Sequence, residues 1–322
     1  MMSRFLILLA LFLTSLVQAA PSTAAASILQ RPIDLDTGSG TLHGSLLLPR
    51  ASQPVPVVLI ISGSGATDRD GNNSDAGRTD SLKKLAWALA RAGIASVRYD
   101  KRGVASGLPL APDERSLSVE QYVADAAAWA RLLSQDPRFG ALTLLGHSEG
   151  ALIATLAAPH TCAVAVVTLA GSGRPIDQVL REQLHERLPA DLYARSEQLL
   201  AELKAGQLDD QVPPPLQVVF RPSVQPYLIS LFRQDPAQAF AALQVPVLVI
   251  QGEHDIQVSV ADADALTAAN PRAHKVLIPG MNHVLRIVPM DLKQQLASYN
   301  NPGLPLAAGL AEALATFIKA NP

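Results

Sequence analysis

The sequence contains one cysteine, Cys162, in 322 residues. A single thiol rules out an intramolecular disulfide, and no Cys/His cluster is present to build a structural zinc site. The one partial metalloprotease signature, His185-Glu186, fails because Pro189 stands where the second histidine belongs. Cys162 lies between two apolar segments and is expected to be a small buried hydrophobe. A large excess of charge of either sign is also missing. The net charge is -2 and the pI is near 6.4, which argues against a nucleic-acid or anionic-membrane partner. There is no low-complexity tract and no repeat of solenoid period. The glycine-rich segment Ser62-Gly63-Ser64-Gly65 is not followed by Gly-Lys-Ser/Thr, so it is not a phosphate loop. We expect no metal and no cofactor.

What is present begins with an export signature. Arg4 supplies a positive charge, and Phe5 to Leu16 form an apolar run too short for a comfortable membrane span. Val17-Gln18-Ala19 is a small-x-small site just before Ala20-Pro21. Residues 1–19 therefore read as a cleaved signal peptide, with a periplasmic or secreted destination and no stable membrane insertion after processing. A retained anchor is the alternative, and the mass of the exported chain distinguishes the two.

The remaining residues, in a chain that is 48% hydrophobic, suffice for a large core with a cap. Segments 33–36 and 41–48 flank Thr37-Gly38-Ser39-Gly40 and predict a hairpin. Val55 to Ile61 is an apolar, β-branched run, as expected of a strand buried on both faces. Helical spacing follows over 81–92, stopped by Gly93, and a strand over 94–98. A helix over 118–134 carries Tyr122, Val123, Ala126, Trp129 and Leu133 on one face. Strands over 141–145 and 163–169 come next. The alternation then stops over 174–243, which is polar, helical and broken by Pro213-Pro214-Pro215. It resumes with a strand at 245–251, a helix at 259–269, a strand at 274–278 and a helix at 306–318. This order predicts an α/β fold with a mostly parallel sheet flanked by helices. The catalytic domain comprises 20–173 and 244–322, and 174–243 forms an inserted helical cap.

Gly146-His147-Ser148-Glu149-Gly150 reads G-x-S-x-G between an apolar strand and a helix former, which makes a nucleophile elbow. Ser148 is the candidate nucleophile. A serine hydroxyl needs a base and an orienting acid, and in open α/β sheets active groups collect at strand carboxyl ends. Of seven histidines, only His283 sits alone just past a late strand. His43 and His160 do not follow a late strand. His147 lies within the elbow, aimed elsewhere, and His185 lies in the cap. His254 shares the loop of the acid, and His274 opens its strand at the wrong end. The acid is Asp255, past strand 245–251, with Asp177 as the alternative after the earlier strand. The oxyanion donors are expected to be the Glu149 N–H and, from the loop after strand 55–61, the Ser64 or Gly63 N–H. Thr67 to Asn73 is expected to brace that loop. Arg69, Arg98 and Arg102 read as structural, with substrate binding as the alternative for Arg69.

With these residues the chain resembles the α/β-hydrolase superfamily over its mature length. More narrowly it resembles bacterial hydrolases related to serine aminopeptidases and bile-acid-CoA thioesterase C-terminal domains. The likeness rests on 62–65, Asp68-Arg69-Asp70-Gly71-Asn72, Tyr99-Asp100-Lys101-Arg102-Gly103, 146–150, 220–227 and Gly280-Met281-Asn282-His283. Ser62 departs from the histidine found there in many superfamily members. The resemblance implies hydrolysis of an ester, thioester or amide through an acyl-enzyme. We expect a carboxylesterase acting on a small-molecule ester, with Phe220, beside Leu216, Val218 and Val219, supplying apolar groups to the substrate pocket; sealing the cap against the core is the alternative for these four. An aminopeptidase, an acyl-thioesterase and a non-catalytic binding protein on the same scaffold are the alternatives.

Overall fold

A computed structural model describes residues 27–322. The signal segment expected at 1–19 lies outside the described residues. Eight strands form one sheet: β1 (Ile28–Asp36), β2 (Thr41–Pro49), β3 (Val55–Ile61), β4 (Ala95–Tyr99), β5 (Phe139–His147), β6 (Ala165–Leu169), β7 (Val247–Gly252) and β8 (His274–Ile278). The spatial order is β1-β2-β4-β3-β5-β6-β7-β8. β1 and β2 form the expected hairpin, and β2 meets β4 antiparallel. From β4 onward every pairing is parallel. The hairpin turn is tied by the Gly38 N–H, which donates to Asp36 Oδ1 at 2.8 Å.

The unbroken apolar run of β3 has a direct cause. Val57, Leu59 and Ile61 enter the core on one face of the sheet, and Val58 and Ile60 enter the core on the other. A strand covered on both sides has no solvent face to mark with polar residues. The first core is covered by α2 (Val119–Ser134) and α3 (Glu149–Ala157), with Tyr122, Ala126, Trp129 and Leu133 in one stripe. Ser118 caps α2 by accepting from the Gln121 N–H at 3.2 Å. The second core is covered by α1 (Ser81–Arg91) through Leu82, Leu85, Ala86 and Leu89, and by the last helix, Leu310–Ala320.

Between β6 and β7 come α4 (Ile176–Arg187), α5 (Ala190–Lys204), α6 (Gln217–Phe220), α7 (Gln225–Phe232) and α8 (Pro236–Ala241). Leu199, Leu203, Leu216, Phe220, Leu228 and Phe232 give the cap its own small core. α7 is two-sided, since Tyr227 and Leu231 pack into the main core while Leu228 and Phe232 face the cap. Phe240 of α8 and Leu243 after it also belong to the main core. The end of the insertion is therefore body rather than lid. Arg221 clamps the cap to the loop before α2 by a fork on Glu114, with bonds of 2.7 and 2.6 Å. Arg174 ties its other end to Asp262 at 3.0 Å. After β7 come α9 (Val260–Ala269), then β8, α10 (Leu292–Ser298) and α11 (Leu310–Ala320).

Cys162 corrects an expectation: it is exposed. It sits in the short turn that leads into β6, and the neighbouring Ala163 takes the buried place. No helix among the described residues is long and apolar enough to cross a membrane.

Candidate active site

Ser148 stands between β5 and α3 with φ of 56° and ψ of -123°. A non-glycine residue with positive φ is strained, and such strain concentrates at functional turns. The flanking glycines are required by space. A Cβ on Gly146 would run into the Gly150 carbonyl, and one on Gly150 into the Ile61 carbonyl. The hydroxyl is left at the first turn of α3, facing the cavity under the cap.

Asp255 follows β7 and His283 follows β8, as the strand-end rule requires. Their side chains meet: His283 Nδ1 donates to Asp255 Oδ2 at 2.8 Å, with side-chain exposures of 7% and 0%. The other oxygen, Oδ1, accepts the Gln257 and Val258 N–H groups at 2.8 and 3.0 Å. Burial opposes ionisation of Asp255. The His283 ring beside it and these two N–H groups outweigh burial and hold the carboxyl below its ordinary range. Asp177, the alternative acid, is taken by Lys204, whose Nζ donates to it at 2.6 Å within the cap.

His147 couples the Ser148 turn to His283. It precedes Ser148 in the chain, its Nε2–H donates to the His283 carbonyl at 2.9 Å, and the two rings lie 4.9 Å apart. Burial, then repulsion from His283, pulls its pKa down to about 3, so the ring is neutral at neutral pH. This has a consequence for stability. The unfolded chain takes up this proton near 6.5 and the folded chain only near 3. The unfolded state thus binds more protons between those values, and stability falls as pH drops through that window, by up to about 1.4 kcal/mol per pH unit. His147→Gln is expected to lose that part of the slope. Urea unfolding at several pH values between about 7 and 4 checks it, and identical slopes in the two proteins would refute the assignment.

The loop after β3 presses against Ser148. A Cβ on Gly63 would lie 3.2 Å from Ser148 Cβ and 3.5 Å from His147 Nδ1. Ser64 and Glu149 line the same cavity as Ser148. The N–H groups of Ser64 and Glu149 have no hydrogen-bond partner among the described residues. The bracing network expected over 67–73 is present. Asp68 Oδ1 accepts the Asp70 and Asn72 N–H groups at 2.8 and 2.9 Å, and Asn73 Nδ2 donates to Thr67 Oγ1 at 3.0 Å. Ser62 Oγ donates to the Thr67 carbonyl at 3.1 Å, filling the place of the superfamily's histidine with a loop-internal bond. Arg69, Arg98 and Arg102 pair with Asp100, Asp70 and Asp125 respectively.

The cavity holds about 1020 Å³. Its wall carries Leu152 from α3, Ile176, Val179 and Leu180 from α4, and Leu228 and Leu231 from α7. Phe220 is not on that wall. It is fully buried in the cap's own core, while its neighbours Val218, Val219 and Arg221 reach the cavity. A short helix turns adjacent side chains in different directions, and sequence spacing over four residues does not show which direction is inward. The sequence assigns no place to the His147 bond or to Lys101, which is buried just past β4 and donates to Ser62, although a parallel strand's carboxyl end is open to the same rule. Among the described residues, no group of three or more His, Cys, Asp or Glu side chains could hold a metal ion.

The fold and this arrangement at the strand ends define an α/β hydrolase. Residues 57–295 match the alpha/beta hydrolase family, and the chain belongs to it. It is 30% identical over 224 residues to esterase EstD of Thermotoga maritima, which covers 69% of this chain and 52% of that protein. The chain thus spans about half the length of that relative. Est1E from Butyrivibrio proteoclasticus, solved with ferulic acid bound, matches 90% of this chain and 98% of its own at a TM-score of 0.58 and 16% identity. A proline iminopeptidase from Mycobacterium smegmatis gives the same TM-score, identity and coverage. At that identity these structures share the fold alone.

Proposed function

We propose that this protein is a serine hydrolase that cleaves carboxylic esters of small molecules through an acyl-enzyme. The observation that carries the reading is the buried Asp255–His283 hydrogen bond at the strand ends, tied through the His147–His283 bond to the turn that holds a strained Ser148. In this reading His283 Nε2 takes the Ser148 proton as Oγ attacks the acyl carbonyl. The Glu149 and Ser64 N–H groups receive the oxyanion. Collapse of the tetrahedral adduct breaks the ester C–O bond, and His283 returns the proton to the leaving alcohol. Water, deprotonated by the same imidazole, then attacks the acyl-enzyme and releases the acid. Asp255 keeps the Nδ1–H tautomer and stabilises the imidazolium.

The apolar wall from α3, α4 and α7 supports an acyl group as the bound portion. The name of the EstD relative agrees with ester cleavage. An aminopeptidase would need a carboxylate free to meet a substrate ammonium. Of the carboxylates on the wall, Glu114 is held by Arg221, Asp113 pairs with Arg115 and Glu149 faces the Lys101 charge. Asp75 forms no ion pair among the described residues and is the group a peptidase would use. The test is a panel of nitrophenyl esters of increasing acyl length beside acyl-thioesters and aminoacyl-nitroanilides. Esters with apolar acyl chains are expected to show the highest kcat/KM. Faster cleavage of the nitroanilides would replace the esterase reading by the peptidase.

A further inference from the structure

Lys101 lies just past β4, on the same side of the sheet as the ends that carry Ser148, Asp255 and His283. It is 1% exposed. A buried ammonium is costly unless its charge and donors are compensated. Among the described residues it forms no ion pair with a carboxylate. Its Nζ donates instead to the Ser62 carbonyl at 3.2 Å, to Ser62 Oγ at 3.1 Å and to the Gly63 carbonyl. All of its hydrogen bonds go to two successive residues of the loop that packs against Ser148.

The peptide plane gives this arrangement a chemical meaning. The Gly63 carbonyl and the Ser64 N–H belong to one trans peptide unit, so they point in opposite directions. A cation that pulls the Gly63 oxygen toward β4 turns the Ser64 N–H away from β4. Ser64 lies on the wall of the cavity that holds Ser148, and its N–H has no other partner. Gly63 and Gly65 leave the loop little intrinsic preference for one orientation. An apolar residue at 101 would be easier to bury but would leave that orientation open.

We propose that Lys101 is a positioning residue for the oxyanion hole, gripping the Gly63 carbonyl so that the Ser64 N–H is aimed at the developing oxyanion. This rests on the serine hydrolase reading above. The environment keeps the grip charged at neutral pH. Burial lowers the ammonium's pKa to about 8, while the nearby Glu149 and Asp100 oppose the drop. The Tyr122 ring lies 5.7 Å from Nζ.

The test compares wild type with Lys101→Met and Lys101→Gln. The readouts are kcat and KM for the best nitrophenyl ester and the affinity of a trifluoromethyl ketone. Ser148 adds to that ketone, and the resulting oxyanion occupies the hole. Loss of a whole oxyanion donor costs about 10²–10³-fold in kcat. A donor that is present but poorly aimed is expected to cost about 10- to 100-fold in Lys101→Met, with KM little changed. Ketone affinity is expected to fall by the same factor as kcat/KM. Lys101→Gln keeps a neutral donor and is expected to fall between the two. A purely structural role would lower the melting temperature without coupling ketone affinity to kcat. Wild-type kcat in a folded Lys101→Met would overturn the proposal, as would a fall in kcat with ketone affinity unchanged. If Lys101→Met does not fold, Lys101→Gln decides by the same correlation. A wild-type protein that cleaves no ester and binds no ketone would remove the hydrolase reading and this proposal together. Active wild type with indifferent variants would remove the proposal alone.

Discussion

Ser148→Ala is expected to lower kcat for ester hydrolysis by about 10⁶-fold, the scale seen when a serine protease loses its nucleophile. The protein is expected to remain folded. The deleted oxygen makes no hydrogen bond among the described residues, and the strain of positive φ is the same for alanine as for serine. The glycines that permit the turn, Gly146 and Gly150, are untouched. The measurement is kcat on purified protein, with circular dichroism and thermal unfolding beside it. A folded variant that kept more than about a tenth of the wild-type rate would show that Ser148 is not the nucleophile.

The second largest effect is expected from Asp255→Asn, at about 10⁴-fold in kcat. The geometry explains why so small a change matters. An asparagine has one carbonyl oxygen, and two backbone N–H groups, from Gln257 and Val258, converge on the Oδ1 position. The amide oxygen belongs there. The NH₂ must then face His283 Nδ1 and Gln251 Nε2, where the carboxylate had accepted bonds of 2.8 and 3.2 Å. An NH₂ facing Nδ1 forces the imidazole proton onto Nε2, the nitrogen that must accept from Ser148. Asp177→Asn is the control. Its carboxylate is held by Lys204 in the cap, so kcat is expected to stay near wild type. A large loss at Asp177 with a mild one at Asp255 would reverse the assignment of the acid.

Much of the site was legible because it depends on local backbone demands. A strand that turns into a helix within one residue needs glycine on both sides of Ser148, and the sequence displays both. Asp255 and His283 were found because strand ends can be read from apolar runs, and parallel sheets gather their carboxyl ends on one edge. The both-faces burial of β3 was likewise visible as a run without alternation. Other readings depended on direction rather than position. Phe220 and Val219 are adjacent and both apolar, yet one fills the cap core and the other reaches the cavity. Cys162 lies between two apolar segments and still faces solvent. Tyr227 and Leu228 divide between two cores because α7 is packed on two sides.

The sequence by itself determined the α/β class and the order of the strands, and it singled out Ser148, Asp255 and His283 as candidates at strand ends. Each follows from the periodicity of a segment or from the steric needs of a turn. Only the tertiary structure decided what meets across the sheet. Lys101 and Ser62 are far apart in sequence and meet because β4 pairs with β3 in parallel. His147 reaches the His283 carbonyl across the ends of β5 and β8, which have β6 and β7 between them. Such contacts depend on strand order and register, which form only when the chain collapses and distant segments compete for the same buried surface.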